Sequence, residues 1–265
     1  MDNTKIGLLT TLLLGIFILI GALLAFLVKK KDKVVDFSIG LALGVMLMLS
    51  VLDLLPEVIE QLGLKHIYIF ILGTIGGYYL LKLLDKFIPD HDHNEEKNLT
   101  VKEKKENLIH IGVVTSLALV LHNIIEGMAV YTTILSDAKL GLAVTLGIGF
   151  HNIPLGMVIA ATFYQSNENF WKTITIISAV ALSTFVGGLV MFFLNLSTIN
   201  PILLGTLLSI TLGMVVFITF SELIPRIRES KNKKISYLGM IIGIMILLIS
   251  SFFQNGLCID LGGGS

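Results

Sequence analysis

The chain has 265 residues, of which 54% are hydrophobic and 14% are charged, and its formal net charge is zero. Soluble domains carry about 25% charged residues, so this composition excludes an ordinary soluble domain. The balanced charge gives no support for a nucleic-acid partner. A single cysteine, Cys258, excludes both an intrachain disulfide and a cysteine-rich metal site.

The apolar residues come in eight segments, each long enough to cross a bilayer as a helix, which needs about 20 residues. They cover 6–28, 34–60, 66–87, 108–135, 140–164, 171–196, 201–227 and 235–257. We therefore expect an all-α integral membrane protein, with residues 1–260 forming one transmembrane domain in the lipid bilayer. Lys29-Lys30-Lys31 follow the first segment, which favours a span over a signal peptide. The tail 261–265 resembles an engineered linker and is left out of this interpretation.

The basic residues are distributed unequally between the two ends of the predicted spans. Of the 19 lysines and arginines, Lys5, Lys65 and Lys139 fall on one side and all others on the opposite side. The positive-inside rule places the larger set in the cytoplasm, so both termini are expected to face outward from the cell inner membrane. The polar connection 88–107 is then a flexible cytoplasmic loop. Its His91 and His93 predict a weak metal site, and a plain solvated linker is the equal alternative.

Two internal repeats connect spans of opposite direction. The fourth span contains His122-Asn123-Ile124-Ile125-Glu126-Gly127-Met128, and the fifth contains the similar run 151–157, His-Asn-Ile-Pro-Leu-Gly-Met. The second span, from Leu43 to Pro56, matches the seventh, from Leu212 to Pro225, and pairs Asp53 with Glu222. Inverted repeats of this kind are typical of secondary transporters. We expect a 3+2+3 arrangement, with spans 1–3 and 6–8 related around spans 4 and 5.

The repeated motifs place metal-ligating groups near the middle of the bilayer. His122 and Glu126 are four residues apart and therefore share one helix face, where they can chelate a divalent cation. Asn123 and Asn152 add neighbouring oxygen atoms, and His151 adds a second imidazole. Ionisable groups at this depth are costly and usually face a partner or a water-filled path. Helix packing alone is the alternative for a single histidine, but two His-Asn pairs with a glutamate favour a metal site.

A second polar line runs along the second span. Met46, Ser50, Asp53 and Glu57 follow helical spacing, and Glu60 extends the line. We expect Asp53 and Glu57 to lie on the cation path toward the outer mouth and Glu222 toward the inner mouth. A solvated position at the interface is the preferred interpretation of Glu60 and an equal alternative for Asp53.

These motifs resemble the ZIP (Zrt/Irt-like) family of divalent metal transporters, near its prokaryotic GufA/ZupT-like branch. The resemblance implies transport toward the cytoplasm of Zn²⁺ above all, with Fe²⁺, Mn²⁺, Ni²⁺ and Cd²⁺ as further substrates. The sequence has no Gly-Lys-Ser/Thr phosphate loop, so we expect the energy for transport to come from gradients and not from ATP. The resemblance also implies a transport site on the fourth and fifth helices, with a side chain of the second helix close to the metal. The matching positions are His122, Asn123, Glu126, His151, Asn152 and Met46.

Two positions depart from the family pattern. Leu155 stands where the fifth helix of the family usually has a glutamate, and Thr184 stands where many members have another. Those glutamates belong to a second metal site in binuclear members, so we expect one metal here or an altered selectivity.

Two other interpretations of the function are open. An intramembrane metalloprotease needs a His-Glu-x-x-His helix, and the sequence has no His-Glu doublet, so we expect no enzyme. A metal sensor or a transport-impaired relative remains the alternative to transport. A homodimer is left open.

Overall fold

In a computed structural model of the chain, the structure describes residues 3–27, 31–86, 101–136, 138–166, 169–196, 198–230 and 232–262. These residues form eight long helices joined by turns, which confirms the predicted all-α class. Seven of the helices in this part of the chain are long and apolar enough to cross a membrane. The eighth helix is at the carboxyl end, and for its residues 253–262 the structure describes only the backbone.

The helices agree closely with the eight predicted spans. Their bounds are α1, Asn3–Leu27; α2, Lys31–Met48 continued by Leu49–Leu54 and Leu55–Leu62; α3, Ile67–Asp85 after a short turn Leu64–His66; α4, Val101–Ser136; α5, Ala138–Gln165; α6, Phe170–Phe193; α7, Pro201–Phe217 continued by Ile218–Leu223 and Ile224–Glu229; and α8, Lys233–Gly262. Because α4 begins at Val101, the last seven residues of the predicted 88–107 loop are helical. His91 and His93 lie outside the described residues.

Two helix starts follow directly from local sequence. The side-chain oxygen of Asn169 accepts a hydrogen bond from the backbone N–H of Trp171, and that of Asn200 accepts one from Ile202, both at 2.9 Å. An asparagine cap satisfies N–H groups that have no partner within the helix. Pro201 then occupies the first turn of α7, where its missing N–H costs nothing. By contrast, α5 continues through Pro154 without a break.

Each of α2 and α7 contains a π-helical turn at the equivalent position of the internal repeat. The turns cover Leu49–Leu54 and Ile218–Leu223, and they include Asp53 and Glu222 respectively. A proline follows two residues after each turn, at 56 and 225. A proline cannot donate to the carbonyl four residues before it, so a wider turn at this point keeps the helix continuous.

Glycines bring the helices together in four parallel pairs. In each pair a Cβ on one helix would lie 1.9 to 2.3 Å from a backbone oxygen of the other: α1 with α5, α4 with α6, α2 with α8, and α3 with α7. Extensive packing also joins α1 to α6 and α4 to α5, which makes one group of α1, α4, α5 and α6. The other group contains α2, α3, α7 and α8. The two groups meet chiefly where α5 packs against α2 and α8.

Candidate metal centre

One group of three metal-ligating side chains is found among the described residues, and it consists of His122, Glu126 and His151. Glu126 Oε1 lies 3.6 Å from His122 Nε2 and 3.1 Å from His151 Nε2. The α-helical spacing places His122 and Glu126 one turn apart on α4, and the contact between α4 and α5 adds His151. All three side chains are buried.

The spacing of the three ligand atoms suits a small divalent cation. Zinc bonds to nitrogen and oxygen at about 2.0 to 2.1 Å, so neighbouring ligand atoms in a tetrahedral site are about 3.3 Å apart. The two distances to Glu126 Oε1 lie on either side of that value, and all three ligand atoms fall within 4.8 Å of one another. The three groups therefore need only small movements to bind one ion.

The two asparagines of the repeated motifs form hydrogen bonds through their amide nitrogens and not through their oxygens. Asn152 Nδ2 donates to Glu126 Oε2 over 3.4 Å, and Asn123 Nδ2 donates to the backbone oxygen of Val180 in α6 over 3.1 Å. An ionised carboxylate and a backbone carbonyl only accept hydrogen bonds, so the amide nitrogen must face each of them. Metal ligation by the oxygens of Asn123 and Asn152 stays a prediction.

An acid-lined cavity of about 320 Å³ opens onto the three ligands. Its polar lining consists of Asp53, Glu57 and Glu60 from α2, His122 and Glu126 from α4, His151 from α5, and Ser251 from α8. The contributing residues come from the carboxyl-terminal parts of α2, α4 and α8 and the amino-terminal parts of α5 and α7. These parts lie at the same end of alternating antiparallel helices, so the cavity approaches the ligands from one side of the protein.

Of the predicted path residues, the structure brings Asp53 and Glu57 to this cavity and not Glu222. Glu60, which the sequence interpretation assigned to the solvated interface, also lines the cavity. Glu222 and Met46 are buried, and neither is among the residues that line it. Placement of Met46 beside the metal therefore stays a prediction.

Several buried polar atoms around the helix core have no hydrogen-bond partner among the described residues. They are the oxygens of the Asn123 and Asn152 amides, Nε2 of His122, Nδ1 of His151, and the hydroxyls of Ser38, Thr74, Thr115, Thr184 and Thr219. An orphaned buried polar group costs free energy, so each one calls for an explanation.

Sequence reasoning missed the two π-helical turns and the continuous cavity. The matched prolines at 56 and 225 were a usable signal for the turns, because each follows an acidic residue by three positions in both halves of the repeat. No comparable signal marks the cavity, since its shape depends on how five helices pack.

Comparison with known proteins agrees with this geometry. A profile of the ZIP zinc transporter family matches residues 88–251, which include both His-Asn motifs. The chain belongs to the ZIP family. This ZIP chain is 29% identical to a protein named zinc transporter ZupT from Clostridium perfringens, over 94% of its own length and 96% of the relative's. It is also 29% identical to the ZupT of Streptococcus mutans, over 91% of its own length and 94% of the relative's, and 28% identical to that of an Enterobacter strain.

The family membership makes this ZIP chain a multi-pass membrane transporter for metal ions and not an enzyme. The three buried ligands and the cavity that opens onto them are the part of the structure that fits metal transport.

Proposed function

We propose that this protein moves Zn²⁺ toward the cytoplasm, without ATP, through a site formed by His122 and Glu126 of α4 and His151 of α5. The observation that carries this proposal is the pre-assembled trio of ligands at the base of an acidic cavity. Imidazole and carboxylate also bind Fe²⁺, Mn²⁺, Ni²⁺ and Cd²⁺, and we include these ions as further substrates. The relatives named as zinc transporters favour Zn²⁺ as the main one.

The outer cavity would supply the cation to the site. Asp53, Glu57 and Glu60 follow one another along α2, and their carboxylates provide negative charge where a hydrated ion leaves bulk water. The positive-inside distribution of lysine and arginine assigns the open end of the cavity to the outside of the cell. Under this orientation the protein lies in the cell inner membrane, and both of its termini are outside the cytoplasm.

The site would hold one metal ion. Leu155 and Thr184 occupy the two positions where a second carboxylate pair would be needed, and both side chains are buried. Glu126 is thus the acidic ligand that a bound ion would share with the two histidines. Ligation by Asn123, Asn152 and Met46 would supplement the trio after a rearrangement of their side chains.

An inverted 3+2+3 repeat would relate the two halves of the transporter. Three observations support it: the π-helical turns at equivalent positions, the matched acids within them, and the helix pairs. Exchange of spans 1–3 with 6–8 and of span 4 with span 5 converts the α1–α5 pair into α6–α4, and the α2–α8 pair into α7–α3. By this symmetry Glu222 is the inner counterpart of Asp53 on the cation path.

Reconstitution into liposomes tests the function directly. Purified protein should accumulate Zn²⁺ inside the vesicles along its gradient, without ATP, and should do so for some of the other four ions. Variants with alanine at 122 or 151 should lose uptake while still folding, as judged by circular dichroism. A protein that binds Zn²⁺ but accumulates none would instead be a sensor or an impaired transporter.

Cysteine labelling tests the orientation. With Cys258 replaced by alanine, Asp53→Cys should react with a membrane-impermeant thiol reagent added outside, because Asp53 lines the cavity. Glu222→Cys should react only from the cytoplasmic side, with Lys65→Cys and Lys82→Cys marking the outer and inner surfaces. Reaction of positions 53 and 222 from the same side would refute the proposed path.

A further inference from the structure

Thr115 is a buried residue on α4 whose hydroxyl has no hydrogen-bond partner among the described residues. Four buried threonines donate to a backbone oxygen three or four residues earlier: Thr11, Thr145, Thr162 and Thr211. Ser116, the next residue along α4, also follows that rule and donates to Gly112 over 2.6 Å. The orphaned hydroxyl of Thr115 therefore differs from its immediate neighbour at the same depth.

Thr115 lies on the same face of α4 as the metal ligands. It precedes His122 by seven residues and Glu126 by eleven, so each of these two side chains projects within about 20° of Thr115 around the helix. The seven-residue separation corresponds to about 10.5 Å along the helix axis. Glu126 and the outer cavity lie in the opposite direction from His122. The orphaned hydroxyl thus lies beyond the metal centre, on the side away from the cavity.

Two leucines lie about one helical turn from the metal ligands, on the side away from the cavity. Leu119 lies three residues before His122, and Leu155 lies four residues after His151, which places each of them on a ligand-bearing face. Both are almost completely buried, at 3% and 1% exposure. Apolar constrictions of this kind block ions because water does not fill them. Neither leucine lines the acid-lined cavity, whereas the three ligands do, so the cavity ends at the ligands.

The helices beyond this apolar layer contain a second orphaned hydroxyl. Thr219 lies in the π-helical turn of α7, where it is buried and has no hydrogen-bond partner among the described residues. That turn contacts both α4 and the first part of α2. It also contains the buried Glu222. Neither Thr115 nor any residue of this turn lines the acid-lined cavity, so both orphaned hydroxyls lie outside it.

We propose that Thr115 and Thr219 line the cytoplasmic half of the metal path, which Leu119 and Leu155 seal in this outward-open state. This inference rests on the proposed transport function and its orientation. The hydroxyl oxygens would replace water molecules around Zn²⁺ after it leaves the two imidazoles. Neutral hydroxyls bind Zn²⁺ weakly compared with imidazole and carboxylate, which suits release. Their missing partners in this structure would be water or the ion when the seal opens.

Cysteine substitution compares Thr115 with its neighbour Ser116 at equal depth. In protein lacking Cys258, Thr115→Cys should react with an impermeant thiol reagent from the cytoplasmic side during zinc transport. Ser116→Cys should react much more slowly, because that side chain faces a different direction on α4. Leu119→Ser should speed the labelling at position 115 by admitting water. Equal labelling of positions 115 and 116 would overturn the proposal.

Thr115→Val provides a second test that does not depend on cysteine. The change removes the hydroxyl but keeps the shape, so the thermal unfolding midpoint should stay the same or rise, because no folded-state hydrogen bond is lost. Zinc affinity at the central site should be unchanged. The maximal uptake rate should fall by about fivefold or more, because the moving ion loses one oxygen ligand and that contact is worth at least as much as one hydrogen bond, about 1 kcal/mol. A valine variant with the wild-type uptake rate would contradict a role on the path.

Different results would refute the transport function and the assigned path. Wild-type protein that accumulates no Zn²⁺ would refute the proposed function and this inference with it. Wild-type uptake together with unchanged transport by the valine variant and no labelling at 115 would refute the assigned path alone.

Discussion

Replacement of Glu126 by glutamine should remove zinc binding while leaving the protein folded. Glu126 Oε1 is within 3.6 Å of the Nε2 atoms of both histidines, so this single oxygen connects the whole trio. Glutamine has nearly the same shape and retains one carbonyl oxygen, but it carries no charge. The bound dication would then lose the negatively charged ligand that this trio provides.

The size of the effect can be bounded from the contacts. Mutation of a residue that only orients a metal ligand typically costs about 10- to 100-fold in affinity. Glu126 is itself in ligand position and is buried, so its loss should exceed the upper end of that range. We expect zinc affinity to fall by more than about 100-fold, which corresponds to at least about 2.7 kcal/mol.

Isothermal titration calorimetry of the purified protein in detergent measures this change. The matched control is Glu60→Gln, which removes the same charge from the exposed end of the same cavity. The control should keep its equilibrium affinity within about fivefold, because an exposed charge contributes only about 1 kcal/mol or less. Zinc uptake by Glu126→Gln vesicles should fall to the background of protein-free vesicles.

A glutamine variant that bound Zn²⁺ within tenfold of the wild type would refute the assignment of Glu126 as a ligand. An equal loss in the Glu60 variant would show that the cavity's total charge, and not the trio, determines affinity.

Three further outcomes are expected. Gly127→Ala should lower the unfolding free energy by about 1 to 3 kcal/mol, because its Cβ would lie 1.9 Å from a backbone oxygen of α6. Gly76→Ala is the control in thermal unfolding and should be neutral or stabilising, because Gly76 has open space around it. Leu155→Glu buries an uncompensated carboxylate, so its unfolding midpoint should fall without metal and recover on addition of Zn²⁺. Alanine at both His91 and His93 should leave zinc uptake above half of the wild-type rate in liposomes, because the central ligands remain.

The sequence predicted the helices well because each of them carries a strong local signal. A bilayer span requires a long apolar run, and the ends of such runs fall close to the observed helix ends. The largest difference is the start of α4, where the charged residues 101–107 form part of the helix. Apolarity marks the membrane-embedded part of a helix and gives no signal for a polar extension beyond it.

The ligand trio was predictable for a different reason. His122 and Glu126 are linked by helical periodicity alone, and the repeat supplied His151 from the paired helix. The orientation of Asn123 and Asn152 was not predictable, because an amide side chain can present either its nitrogen or its oxygen. Which of the two atoms faces a neighbour depends on Val180 in α6 and on Glu126. The spacing of residues within one helix does not reveal these contacts.

The type of side chain changes stepwise along the proposed metal path from the outer cavity to the inner hydroxyls. Carboxylates of α2 come first, then the buried imidazoles with one shared carboxylate, then an apolar layer, and then neutral hydroxyls on α4 and α7. Full charges at the outer end compensate a dication that is losing water, and the imidazoles hold it where the surroundings are driest. Under the proposed function, neutral oxygen ligands on the far side would bind it less tightly, so the same ion would be released there. A gradient of ligand strength, from charged to neutral, would thereby favour loading at the open end of the cavity and release at the opposite end.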